Sequence, residues 1–474
     1  MQEVRVSARA SLRRHTLWYF TGRASAGIIN FLSISLFAHL LLPAGYGLYT
    51  LIMSSVAIAN SLFFQWLRIA LIRYVPGSCE KRNSILSTII SIYILENLLI
   101  FSMSTLIYLF TLKVEIFLFS IILALQGWFE NTLELARAEL KPTIYNAMLF
   151  GKSILSFCIG LLLIKYGLGA IGALLGQVAG LLIMSAIAYT YQWRGLYLFV
   201  DRSLVYQFIT YGLAISLSLL MSSLVAYLDR FLIAVFAGRF SAGTYAAIYD
   251  IASSIMLLVM QVPILSGFPM AVEAYHQSRY ELCRQILRET YLVSFRLCIP
   301  IAIVLTMLSS FLTDFLLGEQ YRYAHSILWW LCPGLVIYGL TEYYYNRSLW
   351  LNGNPWYLSG VMGFACVVNT ILNIILIPLY GMHGAAFATL AAYLCSAAIS
   401  RILARRTFPL LPLTPDIWGP ILSACAMGGV FIITGSWHGL LPSILRIALG
   451  IGVYYATLHL LGKWLRERES SEEE

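Results

Sequence analysis

Three charges sit in an apolar run of this chain where a charge is expensive. The run is 227–250, YLDRFLIAVFAGRFSAGTYAAIYD, and the charges are Asp229, Arg230 and Asp250. It reads as a helical hairpin turning at 238–241. The charges lie about ten residues to either side of the turn, so at a rise of about 1.5 Å per residue they are about 15 Å below one membrane face. That is close to the middle of a hydrocarbon core about 30 Å thick. Ionisable groups at such depth are costly unless paired or wet, and by default they mark function. A buried carboxylate can bind a proton or Na⁺ in one conformation and release it in another. A guanidinium fork suits phosphate oxygens. The structural alternative is an Arg230–Asp250 pair that locks the two helices, and both readings stay open.

Other ionisable residues fall in apolar runs. Arg23 lies about two turns into the first and Glu96 lies in the third. Glu130, Glu134 and Arg137 follow at i, i+4 and i+7 on the fourth, which is one helical face. That face is either a cavity wall or, for Glu134 and Arg137, a snorkelling pair at the cytoplasmic interface. Arg68 and Arg73 read as boundary anchors. Arg296 begins the ninth run, and Glu342 and Arg347 lie near the inner end of the tenth. Tyr343, Tyr344 and Tyr345 beside Glu342 are either an interfacial belt or a platform for sugar rings. Asp314 and Glu319 lie close to the outer face and read as solvated. The candidate cavity cations are Arg23, Arg230 and Arg296. Glu96, Asp229 and Asp250 are candidates for ion coupling or structural pairing, with Glu130, Glu134, Arg137 and Glu342 as a secondary set.

The scattered cysteines, Cys79 among them, form no CxxC pair and read as small buried hydrophobes. The histidines, including His15 and His438, have no ligand spacing. No metal or organic cofactor is expected, which leaves H⁺ or Na⁺ as the coupling ion.

These residues need an apolar scaffold, and composition supplies it. Of 474 residues, 60% are hydrophobic and 11% charged, with a mean hydropathy of +0.79. Soluble domains carry about 25% charged residues, so the chain reads as an all-α polytopic membrane protein. About 14 transmembrane helices are expected. A cytoplasmic N-tail covers 1–16, a six-helix lobe 17–191, a cytoplasmic linker 192–203 and a second six-helix lobe 204–403. Two further helices occupy 404–461, and 462–474 is an acidic tail read as solvated and disordered. Alternate loops hold about 21 basic residues on one side and about five on the other, which predicts cytoplasmic termini. The net charge of +9 is therefore a topology signal, and no nucleic-acid partner is expected. The outer loops are too short to carry the catalytic groups of a membrane glycan polymerase or ligase, so a transporter is expected rather than an enzyme.

Two internal echoes divide the chain. Gly47-Leu48-Tyr49 resembles Gly243-Thr244-Tyr245, and Tyr166-Gly167-Leu168-Gly169-Ala170 resembles Tyr380-Gly381-Met382-His383-Gly384. Both echoes begin on the outer side, which predicts parallel repeats. Two such bundles suit a rocking, alternating-access carrier with its site near the midplane. Aligned on the first echo, Ser33 stands opposite Asp229 and Ser54 opposite Asp250.

Several segments together resemble a known family. They are Leu42-Pro43-Ala44-Gly45-Tyr46-Gly47-Leu48-Tyr49, Leu228-Asp229-Arg230-Phe231, Gly243-Thr244-Tyr245-Ala246, Leu317-Gly318-Glu319-Gln320-Tyr321, and Ile377-Pro378-Leu379-Tyr380-Gly381-Met382-His383-Gly384-Ala385-Ala386. In order and spacing the chain resembles the polysaccharide transporters, the Wzx-type oligosaccharide flippases of the multidrug/oligosaccharidyl-lipid/polysaccharide exporter superfamily. The resemblance implies a V-shaped pair of six-helix lobes in a bacterial inner membrane. It implies ion-driven flipping of undecaprenyl-pyrophosphate-linked oligosaccharide to the periplasmic leaflet for O-antigen, capsule or exopolysaccharide synthesis. The lipid bilayer, a polysaccharide polymerase and a chain-length regulator are the implied partners. A lipid II flippase and a drug/cation antiporter of the same superfamily are the alternatives, and the latter favours an acidic cavity and usually 12 spans.

Overall fold

Long apolar runs in lipid must satisfy every backbone polar group internally, so they become helices. The computed structural model contains helices and, among the described residues, no strand. It describes residues 2–77, 81–351, 353–413, 416–437 and 439–472, with the backbone alone for 2–20 and 464–472. Cys79 and His438 lie outside the described residues, as does the His15 side chain.

The helices are α1 (Gln2–Phe63), α2 (Gln65–Tyr74), α3 (Arg82–Thr111), α4 (Glu115–Ala138), α5 (Pro142–Leu163) and α6 (Gly169–Ala188). They continue with α7 (Arg202–His276), α8 (Tyr280–Met307), α9 (Ser309–Leu317), α10 (Leu328–Leu340) and α11 (Asn346–Leu351). The last are α12 (Trp356–Tyr380), α13 (Met382–Thr407), α14 (Trp418–Ile433) and α15 (Leu440–Glu472). A 3₁₀ segment, Glu319–Ile327, precedes α10, and wider π turns occupy Ile164–Leu168, Tyr189–Trp193 and Thr341–Tyr345.

Ten helical stretches among the described residues are long and apolar enough to cross a membrane, against about 14 expected spans. Three of the ten contain a non-helical residue: Leu42 in α1, Gly167 between α5 and α6, and Gly238 in α7. Each break falls where the sequence predicts a turn between spans. α14 is apolar but short. One expectation about the ends changes, that of a disordered C-terminal tail. The backbone is helical from Gln2, and α15 runs through the tail expected to be unstructured, as far as Glu472. Both ends are rich in Arg, Lys and Glu, which are good helix formers.

The first sequence echo recurs in backbone geometry. Leu42 has φ 59°, ψ 166° and Gly238 has φ 83°, ψ 167°, and they stand at the same offset as Gly47 and Gly243. The two turns also touch. A Cβ on Gly243 would lie 1.9 Å from the Pro43 carbonyl oxygen, so that position admits only glycine. Leu42 holds the positive-φ, extended-ψ conformation that Gly238 adopts freely.

The chain divides into two units, one of residues 1–247 with 354–388, the other of 248–353 with 389–474. In the first, α5 and α6 pack closest. Gly172, Gly176 and Gly180 repeat every four residues, and a Cβ on Gly176 would lie 2.4 Å from the Gly160 Cα. This is the small-residue seam by which helices associate where no hydrophobic force separates protein from lipid. Nearer α2, α3 and α4 the core is aromatic. Phe64, Phe129 and Trp193 are buried, and the Trp193 indole donates to the Thr132 hydroxyl at 3.1 Å.

In the second unit, Met427, Phe431 and Tyr454 form a small core between α14 and α15. Buried Arg446 closes the end of α14, donating to the carbonyls of Phe431 at 3.0 Å and Trp437 at 3.3 Å. The otherwise orphaned carbonyls of that helix end thereby gain a cationic partner. An apolar groove of about 460 Å³ runs beside them, lined by α7, α8, α9 and α15 residues including Val259, Pro300, Leu312 and Ile451.

Candidate functional site

Asp229 and Arg230 stand on α7 just before its break, and both are buried, at 0% and 3% exposure. Their partners follow the two equivalent breaks. The Asp229 carboxylate accepts from the Tyr245 hydroxyl at 2.6 Å and from the Arg230 backbone N–H at 2.8 Å. Arg230 donates to the Thr50 hydroxyl on α1 at 2.6 Å, and its guanidinium lies 5.0 Å from the centre of the Tyr227 ring. A buried charge surrounded by hydroxyls and an aromatic face keeps its solvation without a bulk-water contact. Asp250, the third charge of the hairpin, is half-buried in the second unit.

A second cationic region involves α1 and α5. Arg23 is exposed and donates to the Tyr145 hydroxyl at 3.3 Å. Two turns further along α5 stands Lys152, a residue the sequence reading did not single out. Seven residues on a helix return to the same face about 10 Å along the axis. Lys152 is half-buried, ten residues inside the helix, and has neither ion pair nor hydrogen-bond partner among the described residues.

The remaining acids of this unit separate into different environments. Glu96 accepts from the Trp66 indole at 3.2 Å, and its other oxygen is buried with no partner among the described residues. Glu130 is ion-paired with Arg68, accepts from Asn60 at 2.8 Å, and is bonded to Gln126. The expectation that Arg68 is a boundary anchor is overturned. It is 5% exposed and also donates to the Asn60 carbonyl at 3.2 Å. Asn60 closes α1 and Arg68 lies in α2, so one carboxylate ties both sides of the interruption at Phe64. Glu134 and Arg137 form an i, i+3 pair at 3.3 Å with Arg137 exposed, which is the snorkelling alternative.

In the second unit, Arg296 is half-buried on α8, and its Nε is buried with no partner among the described residues. Its backbone carbonyl accepts from Tyr454 at 3.1 Å. Glu342 lies in the π turn. It accepts from Asn346 at 3.0 Å and from Arg347 at 3.4 Å, while Arg347 stacks over Phe268. The geometry therefore ties Glu342 into a side-chain network. Two amides also escaped the sequence reading: Asn369 and Asn373 on α12 are fully buried and bonded to each other at 2.9 Å. Their i, i+4 spacing was the available signal.

Comparison with known proteins agrees with this architecture. A family model described as polysaccharide biosynthesis protein matches residues 36–326. An uncharacterized membrane protein of Methanocaldococcus jannaschii is 23% identical over 198 residues, 41% of this chain and 38% of that protein. The chain thus matches little more than a third of that relative's length. Among solved structures, the lipid II flippase MurJ in an inward closed conformation superposes with a TM-score of 0.74 at 18% identity, covering 95% of this chain and 99% of that one. A multidrug resistance MATE family transporter, inward-facing, gives 0.60 at 14% identity over 80% and 94%. A transporter of the same superfamily from Pyrococcus furiosus, whose binding pocket is described as of reverse polarity, gives 0.60 at 14% over 84% and 95%. Motifs, fold and family model converge: the chain belongs to the polysaccharide biosynthesis protein family, and its fold is that of these solved transporters.

Proposed function

We propose that the protein flips undecaprenyl-pyrophosphate-linked oligosaccharide repeat units from the cytoplasmic to the periplasmic leaflet. The observation that carries this reading is Lys152, a half-buried ammonium inside a span with no acidic partner among the described residues. Such a group is stabilised by an anion that arrives with the substrate. Arg23 on the same side of α5, with Arg230 of the same unit as a further candidate, supplies forks for a pyrophosphate. A drug/cation antiporter would call for carboxylates in place of these cations.

Energy would come from an ion gradient. Asp229, with its hydroxyl partner Tyr245, and Glu96, with one oxygen left over, are the candidate carriers of H⁺ or Na⁺. The two echoed bundles would then rock about the site. The charge bias of the loops supports a bacterial inner-membrane protein with both termini cytoplasmic.

A second reading, a lipid II flippase of the cell-wall pathway, is favoured by the superposition on MurJ, which carries that name. Deleting the gene separates the two. The proposal expects surface polysaccharide to vanish while lipid-linked repeat units accumulate in the inner leaflet. Re-expressed Lys152→Met or Arg23→Gln protein should insert normally and restore less than a tenth of the glycan. Lysis with accumulation of lipid II would transfer the assignment to the second reading. Unchanged surface glycan would overturn the first.

A further inference from the structure

Arg401, Arg405 and Arg406 end α13, and all three are exposed. None forms an ion pair or hydrogen bond among the described residues. Their neighbours in the same unit are already engaged, Arg288 with Asp416 and Arg284 with Glu281. Arg401 and Arg405 are one turn apart and share a helical face. The buried side of the same helix is fixed next to the π turn at Thr341–Tyr345 by Ser400, whose hydroxyl donates at 2.9 Å to the carboxamide oxygen of Asn346, the first residue after that turn. The charges of both arginines bear on the Tyr345 side chain. The Tyr345 hydroxyl has no hydrogen-bond partner among the described residues. Its neighbour Tyr344 is bonded to the Leu411 carbonyl, which fixes the chain beyond α13.

Two guanidinium forks and a free phenol on adjoining elements form a cradle for a phosphate group. A cation pair at a helix C-terminus already faces the negative end of the helix dipole, yet these side chains make no capping bond and remain available. Basic pockets at the cytoplasmic end of transmembrane helices take anionic headgroups. We propose that Tyr345, Arg401 and Arg405 bind the phosphate of an anionic phospholipid of the surrounding leaflet. The site uses none of the candidate cavity cations and does not depend on the flippase reading.

The test uses the full-length protein in detergent, with lipid retention read by native mass spectrometry. The probes are phosphatidylglycerol, phosphatidylcholine and undecaprenyl pyrophosphate. Wild type should retain phosphatidylglycerol over phosphatidylcholine by about tenfold or more, in line with two charge-assisted phosphate contacts. Arg401→Gln with Arg405→Gln should cut that preference at least fivefold. Tyr345→Phe should cut it by about half, and Arg401→Lys with Arg405→Lys should keep part of it because the charge remains without the fork. The control pair Arg194→Gln with Arg202→Gln, basic residues elsewhere in the chain, should change nothing. An unchanged preference in the double glutamine variant overturns the proposal, as does an equal loss in the control pair. Loss of undecaprenyl pyrophosphate binding with phosphatidylglycerol retention intact would overturn it too, since the cradle would then belong to the transported substrate.

Discussion

Glu130 and Glu134 stand one turn apart on α4, and their surroundings differ sharply. Glu130 meets Arg68, whose side chain is 7% exposed, together with Asn60 and Gln126. Glu134 meets Arg137, whose side chain is 49% exposed, at 3.3 Å. Both look like one ion pair with one basic partner. Their energetics are unlike, because desolvation acts on the first and solvent screens the second. In a helix bundle, the register against the neighbouring helix decides whether a charge pair is a fastener or an ornament of the rim.

The largest expected effect breaks the buried pair. Glu130→Ala takes the contacting carboxylate from the buried Arg68 guanidinium and leaves it only the charge of Glu134 one turn away, and removing one partner of such a pair costs up to about 3–5 kcal/mol. The same carboxylate ties Asn60 to Arg68 across Phe64, so the interruption between α1 and α2 should loosen as well. Replacing both partners, Arg68→Met with Glu130→Leu, should recover most of the loss, because a well-packed apolar pair of similar volume is often close to neutral. Denaturation of purified protein in mixed micelles measures both. A single variant as stable as wild type would show that the pair carries no stabilising role.

The rim pair should respond weakly. Arg137→Ala removes an exposed i, i+3 partner, and such pairs contribute about 0.3–0.5 kcal/mol. The shift should be near the detection limit and should shrink further in 0.5 M salt, where the Debye length falls to about 4 Å. A loss above 2 kcal/mol would erase the contrast with Glu130.

The helices and their breaks were legible because apolar periodicity and Pro or Gly punctuation are local signals. Leu42 before Pro43, Gly167 and Gly238 were each visible as turns. Asp229, Arg230, Arg23 and Glu96 were visible as ionisable residues at mid-span, since any charge in such a run stands out. Their partners were not. Thr50 lies 180 residues from Arg230, and Tyr145 lies 122 residues from Arg23. No local pattern encodes those pairings, which depend on how helices cross. Arg68 was misread for the same reason: distance from a loop locates a residue along the membrane normal, while burial depends on the neighbouring helix. Lys152 was legible in principle, as a lone lysine in an apolar stretch.

The turn after α4 carries the smallest expected effect, one that extends the contrast to water. Leu140 adopts φ 55° there, and Lys141 N–H reaches back to the Ala136 carbonyl at 2.8 Å, a Schellman closure with leucine where glycine is usual. Glu139 precedes it, bonded to Lys141 at 2.6 Å and to Arg82 at 2.8 Å. Burial acts to raise the Glu139 carboxyl pKa, but Lys141 and Arg82 together outweigh it and hold the group below the ordinary value of 4.5. The folded state therefore binds this proton less readily than the unfolded chain. Its contribution to stability is fully present above the unfolded value, and it is lost as pH falls through the lower, folded one. Glu139→Gln should flatten the acid limb of the stability profile below about pH 4.5 while leaving neutral stability little changed. Because Lys141 and Arg82 are both partly exposed, added salt should flatten the wild-type limb in the same direction. An acid limb that is identical in the variant would mean that the two cations do not hold the carboxylate, and that the turn is closed by its backbone bonds alone.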